Sequence, residues 1–298
     1  MTQPEPPADP ADLAFDEDVP AVTLPFPPGH FYSPIVDPAT LDGDALWPAH
    51  PEVVGIDFND ASHLDLLTRA FPRFLPLYDY PDRLPDTPAL DRFYSENSQF
   101  SWLDPRVLFV LLLDRRPRRF VEVGSGYSSL MTGDVNARFF GERMHVTCIE
   151  PYPRPFLARG LPGITRLLVQ KVQATDLAVF TALESGDVLF LDSSHVAKTG
   201  SDVNFLFFEV LPRLAPGVYV HVHDIFLPHE YPRDWVLHEN RSWNEQYLLR
   251  ALLLGGGGFE VVFGSNHAFH RFRDRVIAAL ARADGAGFSG GSFWLRRR

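Results

Sequence analysis

From residue 119 onward, short apolar runs alternate with segments of helical periodicity. The runs are F-V-E-V (120–123), H-V-T-C-I (145–149), R-L-L-V-Q (166–170), D-V-L-F-L (187–191), V-Y-V-H-V (218–222), F-E-V-V-F (259–263) and S-F-W-L (292–295). Helical patterns lie between most of them, over about 128–140, 174–184, 201–213 and 242–254, the last opening with the capping-box sequence S-W-N-E. Strands and helices in this alternation predict a mostly parallel sheet covered on both faces. A polar, Gly-rich stretch without a predicted helix joins the last two runs, which allows an antiparallel final strand.

The part of the chain before this alternation has a different pattern. Residues 1–30 are rich in Pro, Asp and Glu, which predicts a disordered or draped arm. Apolar positions recur with helical spacing over 62–77, and a second, buried helix is predicted with Asp104 as its N-cap. We therefore expect an N-terminal helical lid region over 31–115, followed by a ligand-binding domain over 116–298.

Composition and charge narrow the kinds of partner. The chain has 298 residues and a net charge of −11, which argues against non-specific binding to nucleic acid or an anionic membrane. Its one cysteine, Cys148, allows neither an internal disulfide nor a cysteine-based zinc site. No apolar run approaches the ~18 residues that a membrane span needs, and the acidic N-terminus is unlike a signal peptide. These features predict a cytoplasmic protein with a small-molecule partner, no nucleic acid and no membrane, and they leave a homo-oligomer open.

A glycine loop follows the first strand of the alternating region. Gly124-Ser125-Gly126 comes directly after Val123, and the carboxyl ends of parallel strands are where such sheets bind ligands. The third glycine of the dinucleotide fingerprint is absent, and Glu122 before the loop would repel a pyrophosphate but suit a cation. Glu150 ends the second strand, where a carboxylate can accept hydrogen bonds from both hydroxyls of a ribose. A ribose site without a pyrophosphate cradle fits S-adenosylmethionine.

A second group of polar residues follows the fourth and fifth strands. Asp192 ends the fourth strand with His195 three residues on, and His223 and Asp224 end the fifth. Two carboxylates and an imidazole predict a site for Mg²⁺ or another divalent cation. His195 is free to act as a general base, because the ordinary pKa of histidine lies near neutrality. A lone histidine in a strand is more often structural, and we interpret His221 in that way.

The segments E-V-G-S-G-Y-S-S, I-E-P, G-D-V-L-F-L-D-S-S-H and L-P-R-L-A-P-G-V-Y-V-H-V-H-D-I-F together resemble the class I S-adenosylmethionine-dependent methyltransferases, over about residues 90–298. The chain is most similar to the metal-dependent macrolide-sugar and cephalosporin-type O-methyltransferases. This resemblance implies a Rossmann-like, seven-stranded, mostly parallel sheet with helices on both faces, an antiparallel last strand and an N-terminal helical or irregular lid. These relatives carry two adjacent acids after the fifth strand, whereas this chain has His223-Asp224, which shifts the metal preference toward softer ions.

The strand-end residues and the resemblance together suggest roles for individual residues. The expected cofactor contacts are Glu122, Gly124, Ser125, Gly126, Ser128, Glu150, Gln173 and Asp192. The expected metal ligands are Asp192, His223 and Asp224, with Asp192 and His195 as catalytic residues and His195 as the base. Candidate contacts of the methyl acceptor are Asn204, Trp235, Trp243 and Tyr247.

These observations predict methyl transfer from S-adenosylmethionine to a hydroxyl of a small-molecule, sugar or natural-product acceptor, with assistance from a metal. Two other classes stay open. A metal-dependent hydrolase would use the cluster of Asp192, His195, His223 and Asp224, but it would have no need of the ribose site at Glu150. A non-enzymatic binding protein on a methyltransferase scaffold is the other, because a fold does not fix a function. A dehydrogenase ranks lower because the third glycine is missing.

Overall fold

The fold is built on one sheet. The structure is a computed structural model that describes residues 25–41, 43–52, 54–84, 92–256, 258–280 and 289–298. Within these residues, seven strands form a sheet in the order β3-β2-β1-β4-β5-β7-β6. They are β1 (Arg119–Val123), β2 (His145–Ile149), β3 (Arg166–Leu168), β4 (Val188–Leu191), β5 (Tyr219–Val222), β6 (Phe259–Gly264) and β7 (Phe293–Arg297). Strands β1 to β5 pair in parallel and β7 lies antiparallel between β5 and β6, which confirms the predicted arrangement.

Helices cover both faces of this sheet. They are α1 (Gly43–Leu46), α2 (Asp60–Asp65), α3 (Phe71–Phe74), α4 (Asp104–Arg115), α5 (Tyr127–Val135), α6 (Pro155–Ala158), α7 (Ala178–Thr181), α8 (Asp202–Phe205), α9 (Arg233–Leu237), α10 (Glu245–Leu253), α11 (Ser265–Arg271) and α12 (Arg273–Leu280). Wider, π-helical turns follow α2, α5 and α8 at Leu66–Ala70, Asn136–Phe140 and Leu206–Val210. Tighter 3-10 turns occur at Pro38–Thr40, Leu75–Leu77, Val172–Ala174 and Leu211–Arg213.

Two hydrophobic clusters fill the space between the sheet and its helices. Side chains alternate along a strand, so Phe120 packs into one cluster while Val121 and Val123 pack into the other. Because both faces are buried, the strands are nearly continuous apolar runs, and this pattern predicts them from the sequence.

The carboxyl ends of the parallel strands bring the predicted site residues to one edge of the sheet. The backbone ladder continues past the strands, as the amides of Asp192 and His223 donate to the carbonyls of Val123 and Leu191, each at 2.9 Å. Strand β7 runs in the opposite direction, so the segment before it reaches the same edge. Backbone pairing alone therefore aligns these strand ends at one edge of the sheet.

The first part of the region predicted as a lid covers an outer strand of the sheet. The helix predicted over 62–77 is present as α2, α3 and the turns between and after them. The Asn59 amide and the Ser62 hydroxyl donate to the carbonyls of Val261 and Val262, at 2.9 and 2.8 Å. This segment therefore covers the outer strand β6, which would otherwise expose unpaired backbone groups. Most of the predicted arm, residues 1–24, lies outside the described residues.

Several local predictions are wrong. The stretch between β6 and β7 does contain helices, α11 and α12, whose buried Ala268, Val276 and Leu280 recur near helical spacing. Strand β3 ends at Leu168, earlier than predicted. Helix α4 begins at Asp104 itself, and the residue before it makes no side-chain cap. The carboxylate of Asp104 instead accepts hydrogen bonds from backbone amides just before β7.

The predicted capping box is wrong as well. Helix α10 begins at Glu245, so this residue occupies its first position rather than its third. The hydroxyl of Ser242 accepts a hydrogen bond from the amide of Val36, at 3.1 Å, and does not cap the helix.

Candidate active site

The glycine loop lies against the end of β4. Gly124 has a φ of +78°, and a Cβ added to it would lie 1.6 Å from the carbonyl oxygen of Asp192. Only glycine fits there, because a side chain would collide with rigid backbone and would be strained in this conformation. Gly126 borders open space, since a Cβ at this position would meet no atom within 4 Å. Helix α5 starts at the next residue, so its first-turn amides lie at the edge of that space.

Glu122 lies beneath the loop and faces the first turn of α5. Its carboxylate is fully buried and accepts hydrogen bonds from the hydroxyls of Ser128 and Ser129, at 2.6 and 2.5 Å. Burial raises the pKa of Glu122 to about 7, although these hydrogen bonds oppose the rise. In this structure Glu122 anchors α5 and does not open onto the crevice, and its expected contact with the cofactor stays a prediction.

Glu150 is held by two backbone amides at the end of β2. Its Oε2 accepts from the amide of Ser125 at 3.1 Å, and its Oε1 accepts from the amide of Tyr152 at 2.8 Å. Burial raises the pKa of this carboxyl, while both hydrogen bonds lower it. A carboxylate offers about four lone-pair positions, so it retains capacity to accept from two hydroxyl groups of a ligand.

The turn after β3 carries the residues expected near an adenine. Gln173 is exposed, and its side-chain amide donates to the carbonyl of Gly200 at 2.9 Å. A cleft of about 540 Å³ opens beside this turn, and Leu168, Gln170 and Ala174 are among the residues that line it. Ala174 therefore faces open space, whereas the side chain of Gln173 is engaged across the loop.

Asp192, His195, His223 and Asp224, here called the acid–imidazole cluster, converge at the ends of β4 and β5. One donor atom from each of Asp192, His223 and Asp224 lies within 4.8 Å of the others. Nδ1 of His223 is 3.4 Å from Oδ1 of Asp192 and 3.6 Å from Oδ1 of Asp224. Its other ring nitrogen, Nε2, faces Oδ2 of Asp104 at 3.4 Å. An imidazole backed by a carboxylate is the usual arrangement of a metal-binding histidine, so these residues fit a divalent cation.

His195 completes the cluster from the other side. Its Nε2 lies 3.4 Å from Oδ1 of Asp192 and 3.4 Å from Oδ2 of Asp224, and its Nδ1 lies 2.9 Å from Oε2 of Glu245. His195 and Asp224 both adopt left-handed backbone conformations, with φ of +59° and +55°. Such conformations cost about 1 kcal/mol or more for residues other than glycine, and they persist where the surroundings enforce them, often at functional sites.

The charges of the cluster act strongly on its titrating groups. Burial lowers the pKa of His195, but Asp192, Glu245 and Asp224 outweigh it and raise the pKa to about 10. Burial opposes ionisation of Asp192, yet His223 and His195 bring the pKa of this carboxyl well below its usual range. The surrounding carboxylates therefore favour the protonated form of His195.

Trp243 and Trp235, here called the aromatic wall, pack beside His195. The rings of Trp243 and His195 have centroids 4.4 Å apart, and Trp235 packs edge-on against Trp243 at 5.5 Å. The guanidinium of Arg241 lies over both tryptophans, 4.1 Å from the ring centroid of Trp235 and 4.7 Å from that of Trp243. The two tryptophan rings form an apolar surface beside His195, and Arg241, which is paired with Glu239, packs over them.

The other two candidate acceptor residues lie differently. Tyr247 joins the wall through Tyr231, at 5.9 Å between ring centroids, and its hydroxyl donates to Glu230 at 2.8 Å. The side-chain amide of Asn204 donates instead to the carbonyl of Lys198, at 2.8 Å. Trp235, Trp243 and Tyr247 therefore lie together, whereas the side chain of Asn204 bonds the neighbouring loop.

Two residues of this site, Glu245 and Asp104, were not predicted from the sequence. Glu245 pairs with His195, although its sequence pattern suggested a helix cap. Asp104 faces His223 and also accepts hydrogen bonds from the amides of Gly291 and Ser292, at 2.8 and 3.0 Å. No local signal joins Asp104 to a segment 187 residues away.

Comparison with known proteins agrees with this geometry. A family model described as a methyltransferase domain matches residues 121–225, which run from β1 to just beyond the acid–imidazole cluster. Together with the observed sheet order, this match supports a fold of the class I methyltransferase type. The chain is also 37% identical, over 165 residues, to an uncharacterized protein of Archaeoglobus fulgidus, covering 53% of this chain and 74% of that protein. It belongs to the same family as that archaeal protein.

The solved structures that align with the chain are less similar in sequence. A protein from Thermobifida fusca, provisionally named a methyltransferase, aligns with a TM-score of 0.41 and 16% identity, over 65% of this chain and 78% of that one. A DUF574 family protein from Streptomyces avermitilis aligns with a TM-score of 0.37 and 14% identity, over 65% of this chain and 80% of that one. Among the described residues, no helix is both long and apolar enough to cross a membrane.

Proposed function

We propose that this chain transfers the methyl group of S-adenosylmethionine to a hydroxyl of a small-molecule acceptor. The observation that carries this proposal is that the glycine loop and the acid–imidazole cluster meet at Asp192. Its carbonyl lies against Gly124 and its amide donates to Val123, while its side chain faces His195. A donor on the loop and an acceptor at the cluster would be neighbours, and such proximity supplies much of the rate in group transfer.

The donor would be held by the ends of β1 and β2. Glu150 has the remaining lone pairs to accept hydrogen bonds from the ribose hydroxyls. The first-turn amides of α5, beside Gly126, suit the carboxylate of the methionine part, because helix N-termini favour anions. Glu122 would support this site from below by holding the serines of that turn. The adenine would lie toward the turn that carries Gln173 and Ala174.

A divalent cation would be held by Asp192, His223 and Asp224. Carboxylates outnumber imidazoles in and around the cluster, with Asp104 and Glu245 added, so a bound cation would offset excess negative charge. The imidazole ligand shifts the preference from Mg²⁺ toward ions such as Fe²⁺ or Zn²⁺, while Mn²⁺ suits the two carboxylates. S-adenosylmethionine supplies an electrophilic methyl group when bound, and a cation would lower the pKa of the acceptor hydroxyl.

His195 would accept the proton of that hydroxyl through Nε2, the nitrogen that faces the cluster. Because Asp192 and Asp224 raise its pKa, His195 can serve as a base only where a cation offsets those carboxylates, which ties the base to the metal. Trp243 and Trp235 offer the acceptor an apolar surface next to this proton acceptor.

Titration calorimetry tests the proposal with the full chain and S-adenosylmethionine, once with chelator and once with Mn²⁺. Micromolar binding is expected, and the variant Glu150→Ala should lose at least about tenfold in affinity, because hydrogen bonds to a charged group contribute about 1.5–3 kcal/mol. Glu184→Ala is the matched control, since this exposed acid lies beyond the opposite end of β4. Absence of binding under both conditions would overturn the proposal and favour the hydrolase alternative.

A further inference from the structure

We propose that Glu245 is a positioning residue for His195. Its carboxylate holds the imidazole through Nδ1, so that Nε2 is the ring nitrogen that faces Asp192 and Asp224. The catalytic role of this contact rests on the proposed function, in which His195 is the base. The contact itself is observed independently of that function.

The burial of Glu245 is the first argument. Its side chain is only 1% exposed, and burying a carboxylate is costly unless it is paired. Oε2 lies 2.9 Å from Nδ1 of His195, while Oε1 has no hydrogen-bond partner among the described residues. A carboxylate that only capped α10 would bond backbone amides at the start of that helix. The Glu245 carboxylate instead bonds the His195 imidazole, so its buried position is explained by this pairing.

The residues beside Glu245 hold His195 as well. The amides of Asn244 and Glu245 both donate to the carbonyl of His195 at 3.1 Å, and Oδ1 of Asn244 accepts from the amide of Ala197 at 2.6 Å. The ring of Trp243 packs on the imidazole. Three consecutive residues thus fix the ring face, the carbonyl and Nδ1 of a residue that has a left-handed φ of +59°.

This arrangement determines which nitrogen of His195 is available for chemistry. A carboxylate accepts hydrogen bonds and does not donate them, so the proton between Glu245 and His195 resides on Nδ1. In the neutral imidazole, Nε2 is then the proton acceptor, and it is the nitrogen directed at the cluster. Without Glu245 the ring can rotate or adopt the other tautomer, which would place an N–H where the acceptor is needed.

Nitrogen-15 NMR of the full chain, labelled at histidine, tests the inference without any acceptor. The His195 signals are assigned by their loss in His195→Gln. In the natural sequence we expect a proton on Nδ1, with a downfield and slowly exchanging resonance. Glu245→Gln retains an oxygen that can accept this hydrogen bond, so the proton should stay while its resonance moves upfield. Glu245→Ala should lose the resonance to exchange with water.

Asn244→Ala is the matched control, because the Asn244 side chain bonds the same loop without touching the imidazole. In this variant the resonance of the His195 Nδ1 proton should resemble that of the natural sequence. Circular dichroism reports whether each variant folds. If Glu245→Ala does not fold, the nearly isosteric Glu245→Gln variant alone tests the inference. An unprotonated Nδ1 in the natural sequence, or an unchanged resonance in Glu245→Gln, would overturn the inference. Calorimetry with S-adenosylmethionine on the natural sequence separates this result from a failure of the proposed function, since either can fail alone.

Discussion

Glu122→Gln should remove a pH dependence of stability that the natural chain has. The folded state raises the pKa of Glu122 from 4.5 to about 7, mainly through burial, so between these values the folded state binds a proton more tightly than the unfolded state. Stability is therefore fully present below the unfolded pKa and is lost as the pH rises through the folded pKa. At about 1.4 kcal/mol per pKa unit, the ionised carboxylate costs roughly 3 kcal/mol at alkaline pH, and glutamine cannot ionise.

Urea unfolding of both proteins with chelator, at about pH 5 and about pH 8, measures this effect. The free energy of unfolding of the natural chain should fall by roughly 2.5 kcal/mol more than that of Glu122→Gln between these values, since a small part of the effect is already lost at pH 5. The variant changes the hydrogen bonds to Ser128 and Ser129, but that contribution is the same at both pH values and cancels. Glu184→Gln, at an exposed acid, should follow the natural chain. An equal fall in Glu122→Gln and the natural chain would refute the reasoning.

Three further predictions concern the loop, the core and the cluster. Gly124→Ala should destabilise the fold by more than about 3 kcal/mol in thermal unfolding, because its Cβ would overlap the carbonyl of Asp192, whereas Gly126→Ala meets open space and should keep the fold. Asn136→Ala removes a buried amide that bonds backbone groups of two loops, and should cost about 2–3 kcal/mol in urea unfolding. Asp224→Asn should weaken Mn²⁺ binding at least about tenfold in calorimetry, and unchanged affinity would exclude this carboxylate as a ligand.

The strand-end residues could be predicted because the topology is simple. Once the apolar runs are recognised as parallel strands, the residues after them must share one edge, and this brings Asp192 to His223 and Asp224 without any knowledge of loops. Gly124 could be placed for the same reason, since it directly follows a strand.

The orientation of Glu122 was within reach of the sequence. Phe120 and Glu122 are two residues apart on one strand, so both point to the face that α5 covers and away from the loop. The family resemblance implies a direct contact of Glu122 with the cofactor, and that contact stays a prediction.

Glu245 and Asp104 could not be placed from the sequence. An acid three residues after a serine at a helix start serves equally well as a cap or as a tertiary contact, and only the packing of α10 against the loop of His195 decides. Asp104 depends on β7, whose insertion between β5 and β6 is a property of the whole sheet. Local patterns carry no information about such distant pairs.

The placement of β7 has a consequence for the order in which the site is assembled. Strand β6 pairs with β7 and with no other strand among the described residues, so β6 cannot join the sheet before the strand that follows it in the chain is made. Until then β5 has an open edge, and Asp104 lacks the amides of Gly291 and Ser292 that it binds in the finished fold. During synthesis on the ribosome, the half of the sheet that carries the glycine loop can form early. The acid–imidazole cluster acquires its final support only as β7 emerges, and the unpaired edge of β5 is exposed to aggregation meanwhile.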